Sequence, residues 1–399
     1  MRILQLCNKP PYPAIDGGCR AMAEVTEGLL ACGDHVRVAC ISTHKHPFLP
    51  RNWPDKVLSA TAPIHVQVDT ELSAIKALMS LLGDGSYNLQ RFDSPATHMA
   101  LSELLQKETF DVIHLESLFV TPYIPTLRKY SKARVVLRAH NVEHRIWQRL
   151  ADNETSSIRR RYLGILAKRL RKAEADALRM VDAVVAITQS DLDELNALCP
   201  VSHGHVLPMT MVPTQLVPVL EAPLSAFHLG SMDWMPNAEG IRWFAKEVWP
   251  LVLARQPEMK CCLAGRNMPN DLRSIRTKGL DIVGEVDDAQ AFMLSNSILI
   301  LPLLSGSGMR VKLVEAMMLG RAVVTTTVGM EGVPALHGEH LLVADTPQAI
   351  ADALVRLHND IDLAQRLAIA GRKLAETHFG RDAAMERLRY FYGQPIAAQ

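Results

Sequence analysis

A loop of small residues between a predicted strand and a predicted helix carries the side chains best suited to chemistry. Its sequence, over residues 301–320, is LPLLSGSGMRVKLVEAMMLG. Glycines let backbone N–H groups approach an anion closely, and a helix N-terminus adds partial positive charge. Arg310 and Lys312 fall in the predicted first turn, where the helix dipole disfavours cations unless an anion is present. The pattern indicates a diphosphate site, although spacing alone fits an ordinary strand–helix turn with a solvated Arg and Lys equally well.

Glu315 lies about one turn further along the same predicted helix. A carboxylate facing the loop can accept two hydrogen bonds from a vicinal diol such as ribose. Together with Arg310 and Lys312, Glu315 therefore indicates a nucleotide site rather than a site for inorganic phosphate.

Two further features follow predicted strands in the first half of the chain. Gly17-Gly18 comes after the first strand and opens a helix, and His140 comes directly after the buried strand 134–139. Active-site loops lie at such strand ends. Turn glycines and a surface histidine are the simpler interpretations when either feature is taken alone. His140 and His144 have the spacing of a metal pair on a helix. Because the predicted strand ends at 139 and the helix is expected to start after Asn141, His140 lies before that helix and no metal site is predicted.

The composition is that of a globular protein of more than one domain. The chain has 399 residues, 48% of them hydrophobic and 21% charged, which predicts two domains of roughly 150–200 residues each. The formal net charge of +1 gives no overall field that would attract nucleic acid. Seven cysteines without a CxxC pair favour a reducing compartment over disulfides or zinc. No stretch approaches the ~20 apolar residues of a membrane-spanning helix, so we expect a soluble, cytoplasmic protein.

Short β-branched runs alternate with amphipathic helical stretches along the whole chain, which favours parallel, doubly wound sheets. The alternation breaks between Leu207 and Pro223, where prolines recur every five residues. The predicted fold class is α/β with two tandem Rossmann-like domains facing one cleft. Residues 1–207 are the predicted first domain, 208–223 a linker, 224–380 the second domain, and 381–399 a C-terminal helix and tail that packs on the first.

The block at 301–320, with 329–333 after the next strand, resembles the donor site of the family 4 retaining glycosyltransferases of GT-B fold. The family pattern is a Glu, seven residues and a second Glu, followed by Ala-Met and a Gly. Glu315, Ala316-Met317 and Gly320 match it, whereas Ser307 stands at the first Glu position. The resemblance implies that Glu315 binds the donor nucleotide, and that Ser307, Gly308 and Met309 bind its diphosphate and sugar.

Other positions carry over from the same resemblance. The family usually has an Arg and a Lys after the first strand of the second domain, but here that stretch has neither, so Arg310 and Lys312 are expected to replace them as catalytic cations. His140 matches a histidine that contacts the donor sugar. Gly17 and Gly18 match a glycine pair beside the diphosphate and the acceptor. The segment with Gly284 and Val286 resembles the one whose backbone reads the base.

The resemblance implies sugar transfer from a nucleotide diphosphate sugar to a hydroxyl acceptor, with retention at the anomeric carbon and no obligatory metal or other cofactor. Cell-surface glycan or glycolipid synthesis is the expected setting. Two alternatives stay open. One is a nucleotide-sugar epimerase of the same fold, and the other is a catalytically silent nucleotide-sugar-binding protein, which Ser307 in place of a carboxylate would allow.

A basic helix is predicted over residues 158–179. It carries eight cations against only Glu174 and Asp176, and an apolar stripe formed by Leu163, Leu166, Leu170, Ala173 and Ala177. Basic amphipathic helices lie on anionic membranes or bind anionic acceptors such as lipid-linked sugars. This interpretation predicts a peripheral contact at the inner membrane face. The simpler alternative is a long surface helix that packs one face on the sheet.

Overall fold

The computed structural model describes residues 1–14, 16–71, 85–212, 220–306 and 309–395. They form two compact units. Residues 1–210 and 384–399 make the first unit, and residues 211–383 make the second. The predicted linker 208–223 lies partly outside the described residues, since 213–219 are not among them.

The first unit is built on a seven-stranded parallel sheet of order β3-β2-β1-β4-β5-β6-β7. Buried parallel strands read as continuous apolar runs because both of their faces are covered. The four residues of β6, which are Ala-Val-Val-Ala, are all buried, for example. The strands are β1 (Arg2–Cys7), β2 (His35–Ser42), β3 (Ile64–Gln67), β4 (Val112–Glu116), β5 (Arg134–Ala139), β6 (Ala183–Ala186) and β7 (Gly204–Val206).

Helices cover both faces of this sheet, and apolar clusters lie on each side of it. Its described helices are α1 (Gly17–Ala31), α2 (Asp55–Thr61), α3 (Tyr87–Gln90), α4 (Pro95–Lys107), α5 (Ile124–Tyr130), α6 (Glu143–Asn153), α7 (Ser157–Met180) and α8 (Gln189–Leu198). Short 3-10 turns occupy Pro50–Asn52 and Leu118–Tyr123.

The second unit repeats this design with a six-stranded parallel sheet of order β10-β9-β8-β11-β12-β13. Its strands are β8 (Ala226–Leu229), β9 (Cys261–Ala264), β10 (Leu280–Gly284), β11 (Ile298–Leu301), β12 (Ala322–Thr325) and β13 (Leu342–Val343). Its helices are α9 (Met235–Trp243), α10 (Trp249–Leu253), α11 (Asn270–Arg273), α12 (Ala289–Leu294), α13 (Val311–Met318), α14 (Pro347–Asn359) and α15 (Ile361–Phe379). The predicted α/β fold class with two parallel sheets is confirmed.

The last helix, α16 (Arg381–Gly393), belongs to the first unit from residue 384 onward. Its apolar face enters that unit's core, where Met385, Leu388 and Phe391 are buried. The Arg134 guanidinium on β5 donates to the carbonyl oxygens of Phe391 and Tyr392 at 3.0 and 3.1 Å. An arginine from the sheet thus satisfies carbonyls of the last turn that have no partner within the helix.

One predicted helix, over residues 237–253, is wrong as a single element. The structure divides it into α9, a π-helical turn at Phe244–Val248, and α10. Pro250 is the physical reason, because proline has no N–H and its ring clashes with the carbonyl one turn back. In the turn just before Pro250, the backbone hydrogen bonds change from the i→i−4 pattern of an α-helix to the i→i−5 pattern of a π-helix.

Candidate functional site

Two loops meet at the carboxyl edge of the second sheet, where neighbouring strands β8 and β11 end. One follows β8 and carries Trp234, and the other follows β11 and carries Gly306 and Arg310. The Arg310 guanidinium carbon lies 4.8 Å from the centre of the Trp234 ring. Gly306 has a φ of +111°, and a Cβ there would lie 2.9 Å from Trp234. Glycine is therefore required for the close contact between the loops.

Arg310 is the N-cap residue of α13, one position before the predicted first turn. Its side chain is only 7% exposed and lies 3.8 Å from a carboxylate oxygen of Glu331. Burial lowers the pKa of Arg310, and attraction to Glu331 partly opposes that change. An arginine remains protonated under these conditions, so the loop holds a desolvated positive charge. Such a charge at a helix N-terminus suits a bound anion.

Lys312 and Glu315 form an ion pair on α13, through the Lys312 ammonium and Oε2 of Glu315. The Glu315 side chain is 15% exposed, and the Lys312 side chain 35%. The structure thus brings two sequence-predicted site residues together. A ribose bound by Glu315 would share that carboxylate with the Lys312 ammonium.

The remaining donor-site positions of the second unit lie at the same carboxyl edge, because all strands of the sheet are parallel. Gly284 ends β10 with a φ of +79°, a backbone conformation that favours glycine. Val286 follows it and is half-buried. Met309 contacts Gly332, where a Cβ would lie 3.0 Å from the Met309 Cα. Ser307 and Gly308 lie outside the described residues.

In the first unit, Gly17 and Gly18 open α1 directly after its N-cap residue, Asp16. The Asp16 carboxylate accepts from the Cys19 N–H at 2.8 Å, and the Lys9 ammonium donates to both of its oxygens at 2.8 and 2.7 Å. Burial opposes ionisation of this carboxyl, but the hydrogen bonds from Lys9 and Cys19 outweigh it and lower the pKa of Asp16 to about 2. The Asp16 carboxylate therefore already supplies a negative charge at the N-terminus of α1.

Asp16, Cys19 and His46 offer ligand atoms that lie within 4.8 Å of one another. This is the combination of side chains from which metal sites are built. The Lys9 ammonium on Asp16 already supplies a positive charge there. Burial, as the largest cause, raises the pKa of the Cys19 thiol to about 11, which disfavours the thiolate that a metal requires.

His140 follows β5 and contacts a buried carboxylate that sequence reasoning missed. Its Nε2 lies 2.7 Å from Oε2 of Glu116, which is fully buried at the end of neighbouring strand β4. Gln5 donates to Oε1 of Glu116 at 2.9 Å. Burial raises the pKa of Glu116, but attraction to Arg138 and His114 and the hydrogen bond from His140 outweigh it and hold that pKa well below its usual value. Two polar residues, His114 and Glu116, in a strand that is otherwise apolar and fully buried were the available signal.

His144 contacts a different carboxylate. Its Nδ1 lies 2.6 Å from Oε2 of Glu174 on α7, while Oε1 accepts from the Glu143 N–H at 3.0 Å. Glu174 thus binds the N-terminus of α6 from a neighbouring helix. Burial, as the largest cause, raises the pKa of nearby Glu143 to about 7. The two histidines of this segment therefore have separate acidic partners.

Helices α6 and α7 pack against each other and present a mixed apolar and basic surface. The apolar side chains on it, with exposed fractions between 36% and 81%, are Ile146, Leu150, Ile158 and Ile165. The exposed cations beside them include Arg149, Arg159, Arg161, Lys168 and Lys172. Among the described helices, none combines the length and apolar character needed to cross a bilayer.

Comparison with known proteins matches both units to glycosyltransferase families. Residues 15–209 match the family model described as Glycosyltransferase Family 4, and residues 224–360 match Glycosyl transferases group 1. Among curated proteins, the chain is 24% identical over 279 residues to an uncharacterised 44.6 kDa protein in the cps region of Klebsiella pneumoniae, covering 67% of this chain and 70% of that one.

Solved structures share the fold over nearly the whole chain. Sucrose-phosphate synthase from Thermosynechococcus elongatus has a TM-score of 0.62 at 16% identity, with 98% of each chain covered. Anabaena HepE in complex with UDP has a TM-score of 0.62 at 12% identity, covering 98% of this chain and 99% of that one. A TarM variant from S. aureus, in complex with fondaparinux, alpha-GlcNAc-glycerol and UDP, has a TM-score of 0.60 at 9% identity, covering 98% of this chain and 100% of that one. The fold is therefore GT-B.

Proposed function

Because the chain is a glycosyltransferase that joins a family 4 domain to a group 1 domain, we propose that it transfers a sugar from a nucleotide diphosphate sugar to a hydroxyl acceptor with retention at the anomeric carbon. The observation that carries this proposal is the buried Arg310 at the N-cap of α13, stacked on Trp234, with Glu315 one turn further on. The structural neighbours that contain UDP support a nucleotide donor.

In this proposal the second unit holds the donor. The backbone around Gly284 and Val286 contacts the base, and the Glu315 carboxylate accepts from the ribose. Arg310 binds the diphosphate, and Lys312, two positions further on in α13, lies beside the same site. Met309, together with Ser307 and Gly308, contributes the loop that faces the diphosphate and sugar. Backbone N–H groups of such a loop can bind an anion without a dedicated side chain.

The proposed chemistry needs no cofactor and no metal. The bond between the anomeric carbon and the phosphate oxygen breaks, and the acceptor oxygen bonds to the same face of that carbon. The acceptor proton passes to the departing phosphate oxygen, so the reaction uses no separate protein base. Arg310 stabilises the negative charge that develops on the diphosphate, and fixed donors of this kind commonly supply the largest part of catalysis.

The first unit supplies the acceptor side in this proposal. His140 contacts the donor sugar, and Gly17 and Gly18 border the diphosphate and the acceptor. A cell-surface glycan or glycolipid is the proposed product, which the cps-region relative supports.

Product stereochemistry tests the proposal directly. The protein is incubated with a panel of UDP-, GDP- and ADP-sugars and with lipid-linked or free glycan acceptors, and the anomeric proton of the product is followed by NMR. We expect nucleotide release that depends on the acceptor, and a product with the anomeric configuration of the donor. An inverted product would contradict retention, and interconversion of the donor sugar without acceptor would indicate an epimerase instead.

We also propose that the surface of α6 and α7 lies against an anionic membrane. The opposite face of α7, which includes Leu166 and Leu170, is buried in the first unit. Helix α7 therefore packs on the protein with one face and presents isoleucines and cations on the other. Exposed isoleucines among cations combine the apolar insertion and the charge attraction of a peripheral membrane helix. This contact would place a lipid-linked acceptor near the first unit at the inner membrane face.

A further inference from the structure

A series of polar side chains runs through the core of the first unit from the C-terminal helix to His140. The Tyr392 hydroxyl on α16 lies 2.5 Å from Nδ1 of His114. Nε2 of His114 lies 3.3 Å from Oε1 of Glu116, and Oε2 of Glu116 lies 2.7 Å from Nε2 of His140. His114 and Glu116 are completely buried, and Tyr392 is 5% exposed. No step of the proposed mechanism uses this series.

The protons in the series have one consistent arrangement. Burial raises the pKa of the Tyr392 phenol well above its usual value, so its hydroxyl keeps its proton and donates to Nδ1 of His114. The proton of a neutral His114 ring is then on Nε2, facing Glu116. Glu116 is ionised and can only accept, so Nε2 of His140 must donate to it.

Burial, as the largest cause, lowers the pKa of His140, so its ring is neutral near pH 7. A neutral ring with its proton on Nε2 has a lone pair on Nδ1. The tautomer of His140 is therefore determined by Glu116, and Nδ1 is an acceptor rather than a donor.

The groups around Glu116 hold this carboxylate in place. Gln5 donates to Oε1 at 2.9 Å, and the Arg138 guanidinium lies 3.4 Å from Oε2. Arg138 also donates to the carbonyl of Ala21 on α1 at 3.0 Å, and Thr26 on the same helix donates to the Gln5 amide oxygen at 2.6 Å. The carboxylate is thus fixed by neighbours from β1, β4, β5 and α1.

Tyr392 is held just as firmly, because its neighbours on α16 are part of the apolar core. Leu388 is fully buried and Phe391 is 4% exposed. The Arg134 guanidinium lies 5.2 Å from the Phe391 ring and donates to the carbonyl of Tyr392. Loss of the Tyr392 hydroxyl alone should therefore leave the helix docked, while it removes the donor from His114.

We propose that Tyr392, His114 and Glu116 are positioning residues for His140, which hold its ring as the Nε2–H tautomer and present Nδ1 as an acceptor for a sugar hydroxyl. The identity of the sugar hydroxyl rests on the proposed function, whereas the tautomer and its dependence on Tyr392 do not. The C-terminal helix then contributes to the donor-sugar contact without touching it.

Histidine ring NMR of the full-length protein tests the proposal without any ligand. Long-range proton–nitrogen spectra of 15N-labelled protein give the tautomer of each ring, and His140→Gln identifies the His140 signals. We expect the Nε2–H tautomer in the wild type. Tyr392→Phe should shift the signals of both His114 and His140. Tyr390→Phe is the matched control, because Tyr390 lies on the same helix but is 74% exposed, and it should shift neither.

A wild-type His140 with its proton on Nδ1 would overturn the proposal, and so would His140 signals that Tyr392→Phe leaves unchanged. Glu116→Gln provides a second variant, since its amide can donate to Nε2 and should move the His140 proton to Nδ1. In the transfer reaction, Tyr392→Phe should lower kcat on the order of tenfold to a hundredfold through misplacement of the His140 ring. Nucleotide affinity should stay near the wild-type value, whereas the melting temperature should fall by a few degrees because the buried Nδ1 of His114 loses its donor. If the NMR result holds but no transfer is found, the proposed function fails and the positioning network stands.

Discussion

Arg310 lies at the positive end of the α13 dipole, which on its own is an unfavourable position for a cation. Two contacts compensate for it. The Trp234 ring, 4.8 Å from the guanidinium carbon, contributes about 0.5–2 kcal/mol, and the Glu331 carboxylate lies 3.8 Å away. A bound diphosphate would add charge-assisted hydrogen bonds to the same group. The Arg310 side chain is thus held in place by protein neighbours alone.

Gly240 on α9 packs closely against the start of the loop that follows β11. A Cβ at this position would lie 2.3 Å from the carbonyl oxygen of Pro302, which begins the loop after β11. We expect Gly240→Ala to destabilise the second unit by about 1–3 kcal/mol, because overpacking against backbone forces a backbone shift. Thermal unfolding followed by circular dichroism measures the change.

Gly164, in the middle of α7, is the matched control, because a Cβ there would meet no atom within 4 Å. Gly164→Ala should raise the melting temperature, since alanine stabilises a helix interior by about 0.5–1 kcal/mol relative to glycine. If Gly240→Ala melted at or above the wild-type temperature, the close packing of α9 on the loop would be wrong.

The residue types of the candidate site could be predicted from the sequence, but their partners could not. Arg310, Glu315 and His140 were found from loop position and family pattern. The ion pair between Lys312 and Glu315 and the contact between His140 and Glu116 depend on side-chain directions in three dimensions. Glu116 directly follows the predicted strand 111–115, and nothing in its local pattern indicates contact with a residue 24 positions later that follows an adjacent strand.

At the scale of elements, prediction succeeded where the apolar run was long enough to be read. The sequence predicts strands at 2–7, 35–42, 134–139, 226–229 and 322–325. Strands β1, β2, β5, β8 and β12 have these bounds, because parallel strands buried on both faces are mainly apolar along their length. Strand β7 was missed, since its three residues are exposed or half-buried at the sheet edge. The π-helical turn before α10 was missed because the apolar residues keep their helical spacing through it, whereas Pro250 changes only the backbone hydrogen bonds.

The surface of α6 and α7 gives a prediction at the same scale. We expect the protein to bind vesicles containing phosphatidylglycerol and to bind vesicles of phosphatidylcholine alone much less, because the cations supply the attraction. Changing both Ile158 and Ile165 to Ser should weaken binding by removing about 1.5–3 kcal/mol of apolar burial per fully inserted side chain. Vesicle sedimentation at low and at high salt measures both effects.

Ile369→Ser is the control for the vesicle experiment. Ile369 is 60% exposed, like the residues tested, but it lies on α15 of the second unit. It should leave vesicle binding unchanged. Equal binding to charged and neutral vesicles, or an equal loss with Ile369→Ser, would contradict the membrane proposal.

At the scale of the whole molecule, the two-unit architecture could be predicted because each unit carries its own alternation of strands and helices. The family matches, 15–209 and 224–360, fall one in each unit. A net charge of +1 shows that anion binding must come from local groups such as Arg310, and not from an overall field. The fold class and the proposed location of the donor site thus rest on different kinds of signal.

Calorimetric titration with UDP, GDP and ADP is the most direct test that the second unit binds the donor diphosphate. The wild type is predicted to bind at least one of them, and Arg310→Ala should weaken that binding about tenfold to a hundredfold, since a hydrogen bond to a charged group contributes about 1.5–3 kcal/mol. Arg242→Ala, which removes an exposed arginine paired with Asp271, should bind like the wild type. Absence of binding by all three nucleotides, or unchanged affinity in Arg310→Ala, would contradict the account.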